Sequence, residues 1–69
     1  MERDTALPNK AVMRLLQNRS DLRISEEAVQ NLNEHLEDVA EDIADQAAEG
    51  ARHADRRTIQ GEDIELAIE

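Results

Sequence analysis

The stretch SEEAVQNLNEHLEDVAEDIADQAAEGAR, Ser25–Arg52, decides the fold. Apolar residues recur at Val29, Leu32, Leu36, Val39 and Ile43, in steps of three and four, and Ala40, Ala44, Ala47, Ala48 and Ala51 widen the stripe. This is the period of an amphipathic helix, with no Pro to interrupt it and no Gly before Gly50. Ser25 is a good N-cap, and Glu26 and Glu27 suit the positive end of a helix dipole. Ala28 stands where a full capping box needs an acid or amide. The opposite face carries Glu34, Glu37, Asp38, Glu41, Asp42, Asp45 and Glu49, a charge run that reads first as a solvated surface.

A helix over 25–52 spans ~42 Å at ~1.5 Å per residue. A compact globule made from a chain of this size is only ~28 Å across. The stripe therefore overhangs any core the chain can build alone, and something outside the chain has to cover the rest. Sixty-nine residues make one domain near the lower limit for independent folding, and Leu, Ile and Val together number only fifteen. There is no Cys, so neither a disulfide nor thiolate chemistry can staple it. No apolar run reaches transmembrane length and no signal peptide is visible, which predicts a soluble intracellular protein.

Working outward, residues 1–6 are polar and predict a flexible N-terminus ahead of one domain over 7–69. Leu7-Pro8 opens a short helix with Pro8 near its first position. Val12, Leu15 and Leu16 form its apolar face, and Lys10 and Arg14 share another. It ends near Gln17 or Asn18, and Asn18-Arg19-Ser20-Asp21 is a loop by composition. Leu22-Arg23-Ile24 is a short extended piece before the Ser25 cap. On the far side, Gly50 weakens the last turn of the long helix. Ala54-Asp55-Arg56-Arg57 forms a second loop and Thr58-Ile59 a second extended piece. Gln60-Gly61-Glu62-Asp63 starts a third helix with Ile64, Ala67 and Ile68 on one face. The prediction is an all-α chain, short helix, long helix, short helix, pseudo-symmetric about its middle.

The formal net charge is −9, with one Lys and seven Arg against seventeen acids and no aromatic residue. That balance resembles proteins adapted to high intracellular salt. The distribution matters more than the sum. Residues 25–52 hold nine acids and one Arg, whereas 10–24 hold Lys10, Arg14, Arg19 and Arg23 against Asp21 alone. Arg56 and Arg57 face only Asp55 in 53–58. Positive charge is thus gathered in two short stretches flanking an acidic rod, which is where a polyanion can dock.

The run Ala51-Arg52-His53-Ala54-Asp55-Arg56-Arg57-Thr58-Ile59-Gln60-Gly61-Glu62-Asp63-Ile64-Glu65-Leu66-Ala67 resembles the pattern ARHAxRxTIxxEDIELA of the archaeal histones. Leu7-Pro8 followed by Arg14, and Arg23-Ile24-Ser25, look like that family's first helix and first loop. The resemblance covers residues 7–68 and implies the histone fold. It implies a head-to-tail handshake dimer in which two long helices cross and the first loop of each chain meets the second loop of the other. Arg23-Ile24 would then pair with Thr58-Ile59 of the partner. It further implies that Arg14 enters the minor groove of duplex DNA and that Thr58 of the partner chain holds it there. Arg23 and Arg57 would meet phosphates, and Arg56 would bridge to Asp63 within the chain. This is binding through backbone contacts and deformability rather than base readout.

Arg14, taken alone, is an ordinary exposed arginine on a short helix; Thr58 and the second-loop motif single it out. Arg19, Arg23 and Arg57 read alone as solvated loop charges, and Lys10 as a solvated lysine; their convergence in a dimer points to phosphate, with Arg19 the least specific. Gly50, His53 and Asp63 would form a contact between dimers, or His53 simply faces the negative end of its helix. Gly50 stands where many family members carry a larger aliphatic residue, and positions 41–49 are more acidic than usual. His35, between Glu34 and Leu36, lacks the companions a metal site needs. No Gly-rich phosphate loop, no thiol and no spaced His/carboxylate metal motif appears, so the chain reads as no enzyme, with no cofactor, metal, membrane or small-molecule substrate. The leading expectation is an architectural protein that binds, bends and wraps duplex DNA as a homodimer, without strong sequence specificity, on the chromosome in the cytoplasm. The alternative is a histone-fold interaction module, like the paired components of transcription or DNA-repair complexes, joined to another histone-fold chain.

Overall fold

A computed structural model describes residues 5–69. It contains three helices, α1 (Asn9–Arg19), α2 (Glu26–His53) and α3 (Gly61–Ile68), and no strand among the described residues. The expected flexible stretch 1–6 falls outside the described residues for its first four positions. Thr5 and Ala6 are hydrogen-bonded: the Thr5 hydroxyl donates to the Leu7 carbonyl at 3.3 Å, and the Ala6 N–H donates to Glu37 Oε2 at 2.6 Å.

Each helix begins as local chemistry requires. Pro8 is the N-cap of α1 rather than its first helical residue, with φ −67° and ψ 131°. Its carbonyl accepts the first helical bonds, from Ala11 and Val12. Ser25 caps α2: its Oγ accepts the Ala28 N–H at 3.0 Å. At the start of α3 the Asp63 carboxylate takes the Gln60 N–H at 2.8 Å, the reach-back half of a capping box, while the Asp63 N–H donates to the Gln60 carbonyl at 3.0 Å.

Two ends differ from the sequence expectation. α1 runs through Arg19, which is its last helical residue and not part of a loop. Ser20 sets that end by donating its backbone N–H to Gln17 and its hydroxyl to the Leu16 carbonyl at 3.2 Å. α2 continues unbroken through Gly50 to His53. It then stops in a Schellman motif: the Arg56 N–H donates to the Ala51 carbonyl and the Asp55 N–H to the Arg52 carbonyl, both at 2.9 Å. Asp55, at the position that usually takes Gly, adopts φ 57°.

The chain divides into two compact units, residues 1–38 and 39–69. In the first, the buried side chains are Val12, Val29 and Asn33. In the second they are Ala47, Ala51 and Asp63. Of the fifteen Leu, Ile and Val residues only Val12 and Val29 are buried, while Leu7, Leu15, Leu22, Val39, Ile59, Leu66 and Ile68 are exposed. Single exposed leucines are common on any protein surface, but here exposure is the rule: Leu22 is 73% and Leu66 70% exposed. The deficit anticipated from the overhanging stripe is present in both units. Among the described residues, no helix is long and apolar enough to cross a membrane.

Candidate nucleic-acid interface

In the first unit, α1 turns Val12 inward and leaves Lys10 and Arg14 exposed. The two are four residues apart, so they stack along one strip of the helix. Lys10 borders a shallow groove with Asn9, Met13, Glu26, Val29 and Gln30, so an acid lies in its neighbourhood. Arg19 sits in the last turn of α1, beside the negative end of the helix. Ser20 then folds the first loop back on itself: its hydroxyl accepts the Leu22 N–H at 3.4 Å. Leu22 lies in a bend and Arg23 follows, exposed, in the irregular stretch before Ser25.

In the second unit, the Schellman turn delivers Arg56 towards α3. Arg56 Nη1 donates to Asp63 Oδ2 at 2.8 Å and Nη2 to Asp63 Oδ1 at 2.9 Å, a bidentate pair. Arg56 Nη1 also donates to the Thr58 carbonyl at 3.2 Å, and Glu62 stands 3.7 Å from Nη2. The guanidinium beside it, with the Gln60 N–H second, holds the Asp63 carboxyl at about 2, below its ordinary 3.8. The same hydrogen bond raises the pKa of Arg56. The loop from Arg56 to Thr58 is therefore tied to the start of α3, while the Arg57 and Thr58 side chains remain exposed.

The side chains of Arg14, Arg19, Arg23 and Arg57 make no ion pair or hydrogen bond among the described residues, although the chain holds seventeen acids. Segregation along the sequence contributes: nine of the seventeen acids lie on α2, and these four arginines lie before or after it. Arg14 and Thr58 belong to different units, and the resemblance pairs them across two chains. Among the residues expected at a contact between dimers, Gly50 and His53 are exposed. His53 Nε2 lies 3.8 Å from Glu49 Oε1, one turn back on α2. The Asp63 side chain is only 3% exposed and its carboxylate is committed to Arg56 and Gln60, so it acts first as a structural group of its own chain.

The family described as histone-like transcription factor (CBF/NF-Y) and archaeal histone matches residues 5–68. The chain belongs to that family. The A subunit of archaeal histone HAN1 from Thermococcus zilligii is 40% identical over 62 residues, covering 90% of this chain and 92% of that protein. Probable archaeal histone 3 of Methanocaldococcus jannaschii is 36% identical with the same coverage of each chain. DNA-binding protein HmvA of the same organism is 36% identical over 58 residues, 84% of this chain and 60% of its own length. The short-long-short helix order is the histone fold, and this is a family of structural proteins rather than enzymes. Among the described residues, no group of three or more His, Cys, Asp or Glu is placed to hold a metal ion.

The sequence passes over one site-forming residue. Asn33, on the apolar stripe of α2, is fully buried and bonds to both sides of Pro8. A polar residue four positions after Val29, where an apolar one would continue the stripe, was the available signal.

Proposed function

We propose that this chain is an architectural histone that binds duplex DNA as a homodimer, without strong sequence preference, on the chromosome. The observation that carries the reading is the set of exposed guanidinium groups at Arg14, Arg23 and Arg57, unpaired among the described residues of an otherwise acidic chain. A guanidinium already bridged to a carboxylate gains little from a phosphate. One held in water gains a charge-assisted bond and releases counterions from the DNA. Arg14 is the groove-entering residue, with Thr58 of the partner chain beside it, while Arg23 and Arg57 meet phosphates from the two loops. Lys10 and Arg19 contribute less, Lys10 because Glu26 lies near its groove and Arg19 because the α1 terminus already attracts it.

The homodimer rests on the exposed apolar side chains of both units, which a second copy covers when the stripes of two α2 helices meet. DNA binding is tested by titrating the purified chain onto a mixed-sequence duplex at a series of salt concentrations. Removing one phosphate-binding side chain should reduce the slope of log affinity against log salt by about one unit. Arg14→Ala and Arg57→Ala are expected to bind more weakly with shallower slopes. Parent-like binding by both across the titration would overturn the site assignment.

A further inference from the structure

Two side chains of α2 clasp the segment that leads into α1. Asn33 Nδ2 donates to the Leu7 carbonyl at 2.8 Å and to Asn9 Oδ1 at 2.7 Å. One turn further along α2, Glu37 accepts the Ala6 N–H. Residues four apart stack on one face of a helix, so Asn33 and Glu37 form a continuous polar strip against residues 6–9. Asn33 is fully buried, and its Oδ1 has no partner among the described residues. An orphaned buried acceptor costs stability. An apolar residue of similar size would extend the stripe between Val29 and Leu36 without that cost.

The amide is explained by what it holds. Pro8 has no side chain with which to cap α1, and no cap hydrogen bond is made there. α1 fully buries only Val12, with Met13 and Leu16 half-buried, so apolar packing fixes its rotation loosely. Successive residues of a helix are offset by ~100°, and a small rotation of α1 would carry Lys10 and Arg14 away from a bound duplex. Asn33 grips the chain on both sides of Pro8, at the residue before the cap and at the first residue of the helix. In the second unit the buried Asp63 does the equivalent work for Arg57 and Thr58, through Arg56.

We infer that Asn33 is a positioning residue for the DNA surface: its side-chain amide fixes the start of α1 and so aims Arg14 at the groove and Lys10 at the neighbouring phosphate backbone. This rests on the DNA-binding reading above. Asn33→Leu keeps the branched heavy-atom outline, adds some bulk, removes both N–H donors and removes the orphaned acceptor. The full chain carrying it should stay folded and dimeric by circular dichroism and light scattering. Its DNA affinity should nevertheless fall, with the salt slope shallower by about one unit for Arg14 and by less than that again for Lys10. Arg14→Ala should then cost less in the Asn33→Leu background than in the parent. A purely structural role would leave the slope unchanged once folded protein is matched. A folded Asn33→Leu with parental slope and affinity overturns the inference. If Asn33→Leu does not fold, Asn9→Ala, on the exposed side of the clasp, carries the test: a shallower slope supports the inference and a parental one overturns it. Absence of Arg14-dependent binding in the parent defeats the DNA reading and the inference together. That result is distinct from a parent that binds and variants that match it.

Discussion

Asp55 holds the turn that ends α2 at a measurable cost, and relieving it should stabilise the protein. Its φ of 57° lies in the left-handed region, where the Schellman bonds from Asp55 and Arg56 require it. For an ordinary L-residue that conformation costs ~1–2 kcal/mol. Glycine escapes the cost but loses ~0.5–1 kcal/mol more in chain entropy on folding. Asp enters that region more readily than most residues, so the conformational gain of Asp55→Gly is about 0–1 kcal/mol. Removing a carboxylate from the negative end of α2 adds ~0.3–1 kcal/mol at low salt. Asp55→Asn isolates the charge part, because Asn tolerates the left-handed region as Asp does. Asp55→Ala relieves the charge but raises the strain, because Ala lacks the short polar side chain that eases Asp and Asn into the left-handed region. The expected order of stability is Gly, then Asn, then Ala. For a domain of this size each kcal/mol raises the melting temperature by ~4–8 °C. The assay is thermal and urea unfolding of all four proteins at one protein concentration and low salt. Asp55→Gly no more stable than Asp55→Ala would refute the reasoning, since the turn would then carry no backbone strain.

Further outcomes follow from the same geometry. Gly50 lies within an intact helix, and a Cβ there would sit 3.6 Å from Asp63 Oδ1, an ordinary contact; Gly50→Ala should stabilise by ~1 kcal/mol in urea unfolding. The Asp63 carboxyl sits at about 2 rather than 3.8, so the stability it contributes is full above pH 4 and is lost as pH falls towards 2. In circular-dichroism melts, the stability gap between parent and Asp63→Asn should therefore close over that interval, and a gap independent of pH would count against the pair. The homodimer predicts an unfolding midpoint that rises with protein concentration; a constant midpoint with monomeric mass by light scattering would exclude it. Ala47 and Ala51 are small, Gly50 has no side chain, and each dimer would carry about twice the formal −9, so sedimentation at low salt should show dimers rather than tetramers. Gly50→Leu should shift that equilibrium towards tetramer.

Much of this protein was determined by its sequence alone. The three-four spacing from Val29 to Ile43, Ser25 before it and Gly61-Glu62-Asp63 after it are local signals, and local hydrogen bonding reproduces them as helices. The segregation of Arg14, Arg23 and Arg57 from the acids of α2 is likewise a property of chain order, which is why the cationic stretches were legible without coordinates. Arg56 and Asp63 could be paired from the family motif because both lie within one turn-helix unit. The ends of α1 could not be placed as well: Pro8 as cap and Arg19 as last helical residue depend on which nearby groups take the terminal backbone bonds, and several could. Asn33 shows in the sequence only as a polar break in the apolar stripe, and its role does not show at all. Its partners Leu7 and Asn9 are 26 and 24 residues away, and no local pattern says whether a lone amide on an apolar stripe is tolerated or bonded. Only tertiary packing brings the start of α1 against that turn of α2, and burial then turns an amide that would idle in water into the clasp that holds the helix.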